Sequence, residues 1–285
     1  MALETLLINA DSEHSLPRLL EVAQAIAARH HSHIIGLANL QPSWMLSAWL
    51  PAAGISGTPD PGAITALRAA VQVAAGQLRQ VFERLTAANG LHCSWQDDED
   101  GVRDDVDAIV KVGKLADLVV TSNVSHEGHE AHDVQLAGRL VVESGRPVLL
   151  VPKGLLPTRC GQRVLVAWNG SREATRAVFD ALPLLRGARY VKVLQVGTSD
   201  QSREVGLSGS EVCSMLARHG VRAVAASLSL PRATAGPALL SATKAENADL
   251  LVMGGYGRWR YQELVLGGAT RHVLHHMDVP VLMSH

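Results

Sequence analysis

The chain is written twice. "ADLVVTSN" from Ala116 answers "ADLLVMGG" from Ala248, and "RPVLLVP" from Arg146 answers "VPVLMSH" from Val279. A third pair opens the two copies: "TLLINADSEHS" from Thr5 and "RVLVAWNGSRE" from Arg163, each an apolar run that enters a polar turn and then a helical pattern. Self-similarity at such spacing means one folding unit used twice. The offset is larger at the front because the first copy carries an additional segment near residues 41 to 62. Between the copies "PKGLLPTRCG", Pro152 to Gly161, is rich in breakers and turn formers. The division is therefore 1–153 and 161–285.

Within each copy, short Val/Leu/Ile runs alternate with helical segments, the pattern of parallel strands joined by right-handed helical crossovers. "VLVA" and "LLVM" are apolar at consecutive positions, as strands covered by helices on both faces should be. In the second copy the runs predict strands near 163–167, 190–196, 221–227, 250–254 and 281–283, with helices near 173–185, 205–219, 235–247 and 268–277. In the first copy the long periodic stretch from Ala63 to Asn89, closed by Gly90, predicts one helix. The fold class is α/β, with two tandem doubly wound five-stranded parallel sheets.

Charge excludes some partners. With 26 basic and 27 acidic residues the net charge is −1. Nothing here draws the chain to a nucleic acid or an anionic membrane, which takes a clustered basic face. No stretch reaches the ~18 consecutive apolar residues of a membrane span, and no basic region precedes the short apolar run at the start. Cys93, Cys160 and Cys213 are far apart and in no metal-binding spacing, which fits thiols kept reduced. The expectation is a soluble, cytoplasmic chain.

The densest glycine cluster lies in "MGGYGRWRYQELVLGGATRHVL", Met253 to Leu274, directly after the apolar run "DLLV". Glycine in such numbers weakens regular elements, so bare backbone should serve a purpose. In open α/β sheets ligands bind beyond the carboxyl ends of the strands where strand order reverses. Gly254 and Gly257 would turn successive N–H groups toward one concavity, and a helix starting near Gly268 adds its unpaired N–H groups and positive dipole end. Both suit a phosphate chain, and Arg258 and Arg260 could add charge. The Walker loop GxxxxGK[ST] is absent, and "GYGRWR" after Gly254 does not complete GxGxxG.

The spacing Gly254-x2-Gly257-x9-Gly267, followed by Gly268, resembles the nucleotide-binding loop of the universal stress protein family. The resemblance covers nearly the whole chain and is that of a tandem member. It implies sheet order 3-2-1-4-5 and ATP or another adenine nucleotide, with magnesium as a companion left open, across the ends of strands 1, 2 and 4. By position, Gly254, Gly257, Gly267, Gly268 and Ala269 would face ribose and phosphates, while Asn169 and Val196 would border the adenine. Two positions depart from the family pattern. Asn169 stands where ATP-binding members usually have Asp, and Gly268 stands where Ser or Thr usually offers a hydroxyl, a hydrogen bond worth about 1 kcal/mol.

The first copy reads "TSNVSHEGHEAHDVQLAGRL" at the matching place. Ser122 and Ser125 replace the first two glycines, so this copy has lost the phosphate cradle, although Asp11 keeps the family's Asp position. His126, His129 and His132, with Glu127, Glu130 and Asp133, have ligand chemistry but not the i, i+4 spacing of a helical zinc pair, and a solvated loop is the preferred reading. "HHSH" at His30, His31 and His33 reads as a helix end. Trp44, Met45, Trp49 and Leu50 make the additional segment too apolar for a free loop; it packs on its own sheet or covers a partner.

The favoured function is an adenine-nucleotide-binding protein of the stress response, in which occupancy biases shape or partner choice. No residue is assigned a catalytic role: "GLSGS" at Gly206 misses the nucleophile motif GxSxG. The alternatives are a nucleotide-using enzyme of this architecture and a non-binding structural module. The copies are expected to pair with each other through the edges ending in "PVLLVP" and "PVLMSH", short apolar strands of a kind that invites pairing. A homodimer remains open.

Overall fold

The computed structural model describes residues 2–40, 61–87, 90–96, 105–123, 130–152, 159–197, 207–229, 235–256 and 268–285. The first repeat contains β1 (Thr5–Ala10), α1 (Leu16–His30), β2 (His33–Ala38), α2 (Pro61–Thr86), β3 (Cys93–Gln96), α3 (Asp105–Gly113), β4 (Leu118–Ser122), α4 (Glu130–Glu143) and β5 (Val148–Val151). The second contains β6 (Arg163–Trp168), α5 (Arg172–Arg186), β7 (Tyr190–Gly197), α6 (Gly209–Arg218), β8 (Ala223–Ser229), α7 (Ala235–Ala245), β9 (Leu250–Gly254), α8 (Gly268–His276) and β10 (Val281–Ser284).

All strands lie in one ten-stranded sheet, ordered β3-β2-β1-β4-β5-β10-β9-β6-β7-β8. Each repeat is parallel internally and has the order 3-2-1-4-5 when counted from its own first strand. The repeats join where β10 runs antiparallel to β5, with Leu282 opposite Leu149 and Met283 opposite Val148. The two five-stranded units are thus continuous across one edge.

Successive strand residues serve opposite faces, and in the central strands both faces are buried. Leu6, Ile8, Val120, Leu149, Val166, Val252 and Leu282 point into one core with α1, α2, α5 and α6. Their neighbours Leu7, Val119, Leu150, Leu165, Leu251 and Met283 point into the other, with α3, α4, α7 and α8. This period-2 division explains the unbroken apolar runs. Each core runs across both repeats.

The repeated "AD" has a structural cause. Asp117 accepts the Glu4 and Thr5 N–H groups at 2.9 and 3.0 Å. Asp249 accepts those of Gly161, Gln162 and Arg163 at 2.9, 2.9 and 3.0 Å. Each carboxylate holds the chain where it enters the first strand of its repeat.

Boundaries moved in places. β8 starts two residues later than its apolar run suggests. The long helix of the first repeat starts at Pro61, so the last residues of the expected additional segment are helical; residues 41–60, with Trp44, Met45, Trp49 and Leu50, lie outside the described residues. "HHSH" is not wholly a helix end. His30 closes α1 and His31 is its left-handed cap (φ 58°), whereas His33 belongs to β2 and meets Ser94 Oγ at 2.7 Å.

Candidate functional site

Strand order reverses between β6 and β9, because β6 connects outward to β7 while β9 pairs on its other side. Gly254 ends β9, Val196 is the penultimate residue of β7, and Asn169 directly follows β6, so all three lie at the carboxyl ends of their strands. Gly268 and Ala269 begin α8, whose first turn packs on α7 with the Ala269 carbonyl facing Gly236. The structure therefore brings Asn169, Val196, Gly254, Gly268 and Ala269 to one edge of the sheet. Gly257 and Gly267, with Arg258 and Arg260, lie outside the described residues.

The turn after β6 is built by local hydrogen bonds. Gly170 takes φ 75°, the Asn169 side-chain oxygen accepts the Ser171 N–H at 3.1 Å, and Ser171 caps α5 by accepting the Ala174 N–H at 3.1 Å. The exposed Asn169 thereby uses its acceptor on its own backbone, and its amide NH2 is a further donor at this edge. Trp168 Nε1 donates to the Leu207 carbonyl at 2.7 Å and draws the start of α6 toward this edge.

Gly254 is bare where the packing requires it. A Cβ there would sit 2.5 Å from the Ala174 nitrogen and 2.6 Å from the Glu173 carbonyl carbon, so β9 and the first turn of α5 touch backbone to backbone. The sequence signal for Glu173 at this contact is its position in the first turn behind a Ser cap. Gly268 is the opposite case. Among the described residues a Cβ on it would meet nothing within 4 Å, and the residue is exposed.

Tyr256 carries no motif in the sequence. It takes φ 60°, which costs a non-glycine residue energy. A Cβ on Gly138 would lie 2.6 Å from the Tyr256 hydroxyl, so this ring covers α4 of the first repeat. Burial raises its phenol well above the usual range. The root of the glycine loop is thus anchored on the other repeat.

The first repeat fills the equivalent edge with its own side chains. Asp11, 6% exposed, accepts hydrogen bonds from Ser15 and Ser122. Asn9 Nδ2 donates to Thr121 Oγ1 at 2.9 Å. Arg18 is buried nearby; desolvation lowers its pKa, and Asp11 opposes that shift. Ser122, in place of the first glycine, therefore satisfies the Asp11 carboxylate just after β1. Ser125 lies outside the described residues.

Other sequence candidates resolve as structure or stay outside the description. Ser208 of "GLSGS" forms a capping box: its Oγ accepts the Glu211 N–H, while Glu211 accepts the Ser208 N–H at 2.7 Å. These bonds from Ser208 hold the Glu211 carboxyl below its usual range. Burial raises all three thiols, Cys160 up to about 12, consistent with unreactive cysteines. Among the described residues no group of three or more His, Cys, Asp or Glu is placed to hold a metal. His126 and His129 lie outside them, and His132 belongs to α4. No helix among them is long and apolar enough to cross a membrane.

Residues 161–285 match the model of the Universal stress protein family. Among solved structures, a universal stress protein from Archaeoglobus fulgidus DSM 4304 superposes with a TM-score of 0.71 at 16% identity, covering 100% of this chain and 99% of that one. A putative universal stress protein from Pseudomonas aeruginosa UCBPP-PA14 gives 0.54 at 16% identity, over 99% and 93% of the two chains. The cytoplasmic domain of a prokaryotic cation chloride cotransporter gives 0.52 at 12% identity, over 98% and 94%. No curated protein matches the chain in sequence. The likeness over the full length is one of fold.

Proposed function

We propose that the chain is a tandem universal stress protein that binds one adenine nucleotide, ATP in the first instance, at the carboxyl edge of β6, β7 and β9. The observation that carries this reading is the convergence of two helix N-termini, of α5 and α8, on the crevice where strand order reverses. The match of residues 161–285 to the family supports it. Asn169 and Val196 would border the base, and Gly257, Gly267, Gly268 and Ala269 the ribose and phosphates. Gly254 acts indirectly, by letting α5 close on β9.

The role is binding and regulation in the stress response, in the cytoplasm, without rapid turnover. Backbone donors and helix dipoles hold a phosphate chain but supply no base to activate water, a contribution of about 10²–10⁴-fold in enzymes that have one. The first repeat stays empty because Asp11, Ser15 and Ser122 satisfy one another.

Calorimetric titration with ATP, ADP and AMP, with and without Mg²⁺, tests the proposal. One nucleotide per chain is expected, lost in a folded Gly257→Val variant and retained by Ser125→Val. Two per chain, or normal binding by Gly257→Val, would sink it, as would steady hydrolysis above about 1 s⁻¹.

The exposed position of Gly268 leads to a second expectation. Gly268→Ser adds a hydroxyl at the N-terminus of α8 without a clash among the described residues. It should tighten ATP binding about fivefold, the equivalent of one further hydrogen bond of about 1 kcal/mol. Unchanged or weaker affinity in the same titration would contradict this placement of α8 beside the phosphates.

A further inference from the structure

On the amino-terminal side of the strands, away from the crevice above, the repeats meet around a cleft of about 320 Å³ lined by Ala25, Arg29, Arg159, Cys160, Gln162 and Arg189. Its three arginines come from three places. Arg29 is in the last turn of α1, Arg159 precedes β6, and Arg189 precedes β7. Arg29 spans the junction, with Nε on the Ala25 carbonyl at 3.2 Å and Nη2 on the Cys160 carbonyl at 3.0 Å.

No carboxylate among the described residues pairs with any of the three guanidinium groups. The acid near Cys160 is Asp249, and its Oδ1 is spent on the N–H groups of Gly161, Gln162 and Arg163. Cys160 stays a neutral thiol. Three like charges around one concavity repel one another and focus a positive field into it. The chain as a whole carries a net charge of −1, so this concentration is local.

We propose that this cleft is a second ligand site, for a small phosphorylated molecule bearing two or more negative charges. Planar guanidinium forks match phosphate oxygens two at a time, and a volume near 300 Å³ is at the lower end of small-molecule sites. Because Arg29 belongs to the first repeat, Arg189 to the second and Arg159 to the segment joining them, an occupant clamps the repeats together. The site is independent of the nucleotide reading: it uses other residues at the opposite ends of the strands.

Inorganic pyrophosphate is the probe, titrated calorimetrically into the full chain. One saturable site is expected, weakening as ionic strength rises and retained by Gly257→Val, which removes the proposed nucleotide site. Arg159→Ala with Arg189→Ala, both exposed side chains whose loss disturbs no packing, should weaken pyrophosphate at least tenfold. Arg218→Ala with Arg222→Ala removes the same charge from the exposed surface around the end of α6 and should leave affinity unchanged. Circular dichroism confirms folding of each variant. Absence of saturable binding below about 1 mM, equal weakening in both double variants, or loss of the site in Gly257→Val would overturn the proposal.

Discussion

Asp249→Ala is expected to be among the most destabilising single substitutions outside the apolar core, by about 2–4 kcal/mol. The carboxylate accepts three consecutive backbone N–H groups at the entry to β6, and its own N–H donates to the Arg163 carbonyl. Alanine leaves those donors facing a half-buried gap, and each unsatisfied donor costs about 1–3 kcal/mol, less where water reaches it. Asp117→Ala removes the matching clamp of the first repeat, but only two donors are involved and the bond to Glu4 is exposed. Its expected cost is about half. Asp249→Asn keeps an oxygen acceptor and should fall between alanine and the parent. Urea denaturation of the four proteins checks the order; Asp249→Ala within about 0.5 kcal/mol of the parent, the ordinary range for surface changes, would show that the clamp is incidental.

The second large effect is a contrast between two glycines. Gly254→Val places a β-branched residue, favoured in strands, at the end of β9, so local propensity alone predicts a gain. Packing reverses the sign. The new Cβ would lie within 2.6 Å of backbone atoms of Glu173 and Ala174, which cannot rotate away as a side chain would, so α5 must shift. Overpacking of this kind costs about 1–3 kcal/mol, and the displaced turn carries Asn169 with it. Thermal stability should fall and nucleotide binding should disappear together. Gly268→Ala meets nothing among the described residues at the start of a helix and should be neutral or stabilising by up to about 1 kcal/mol. If both variants melt alike, the close contact between β9 and α5 does not exist in solution.

Some of the architecture was legible because it depends on local pattern. Continuous apolar runs mean strands covered on both faces, since alternate residues must enter opposite cores; Leu250 and Val252 do so on one side, Leu251 and Met253 on the other. Breakers at Pro152 to Gly161 and the repeated blocks marked the two units, and glycine spacing marked a strand end beside a helix start. These are properties of neighbours in the chain.

What only the tertiary structure decided involves partners far apart in sequence. Gly254 reads as a ligand-facing glycine, yet its missing side chain is explained by α5, some 80 residues earlier in the chain. The repeated Asp117 and Asp249 carry no motif, because their roles appear only when each meets the entry to the first strand of its repeat. Ser122 looked like the mere loss of a glycine until Asp11 lay beside it. Tyr256 reaches Gly138 across the joint between repeats, and the register of that joint, Leu282 on Leu149, is set by two edges that no local pattern relates. The cleft of Arg29, Arg159 and Arg189 is the extreme case: single charges scattered over 160 residues become one positive concavity because the sheet brings α1 against the chain entering β6. Periodicity and spacing report what a residue does with its near neighbours; close approach and charge clustering are pairwise facts of space, and the sequence carries them only through the fold.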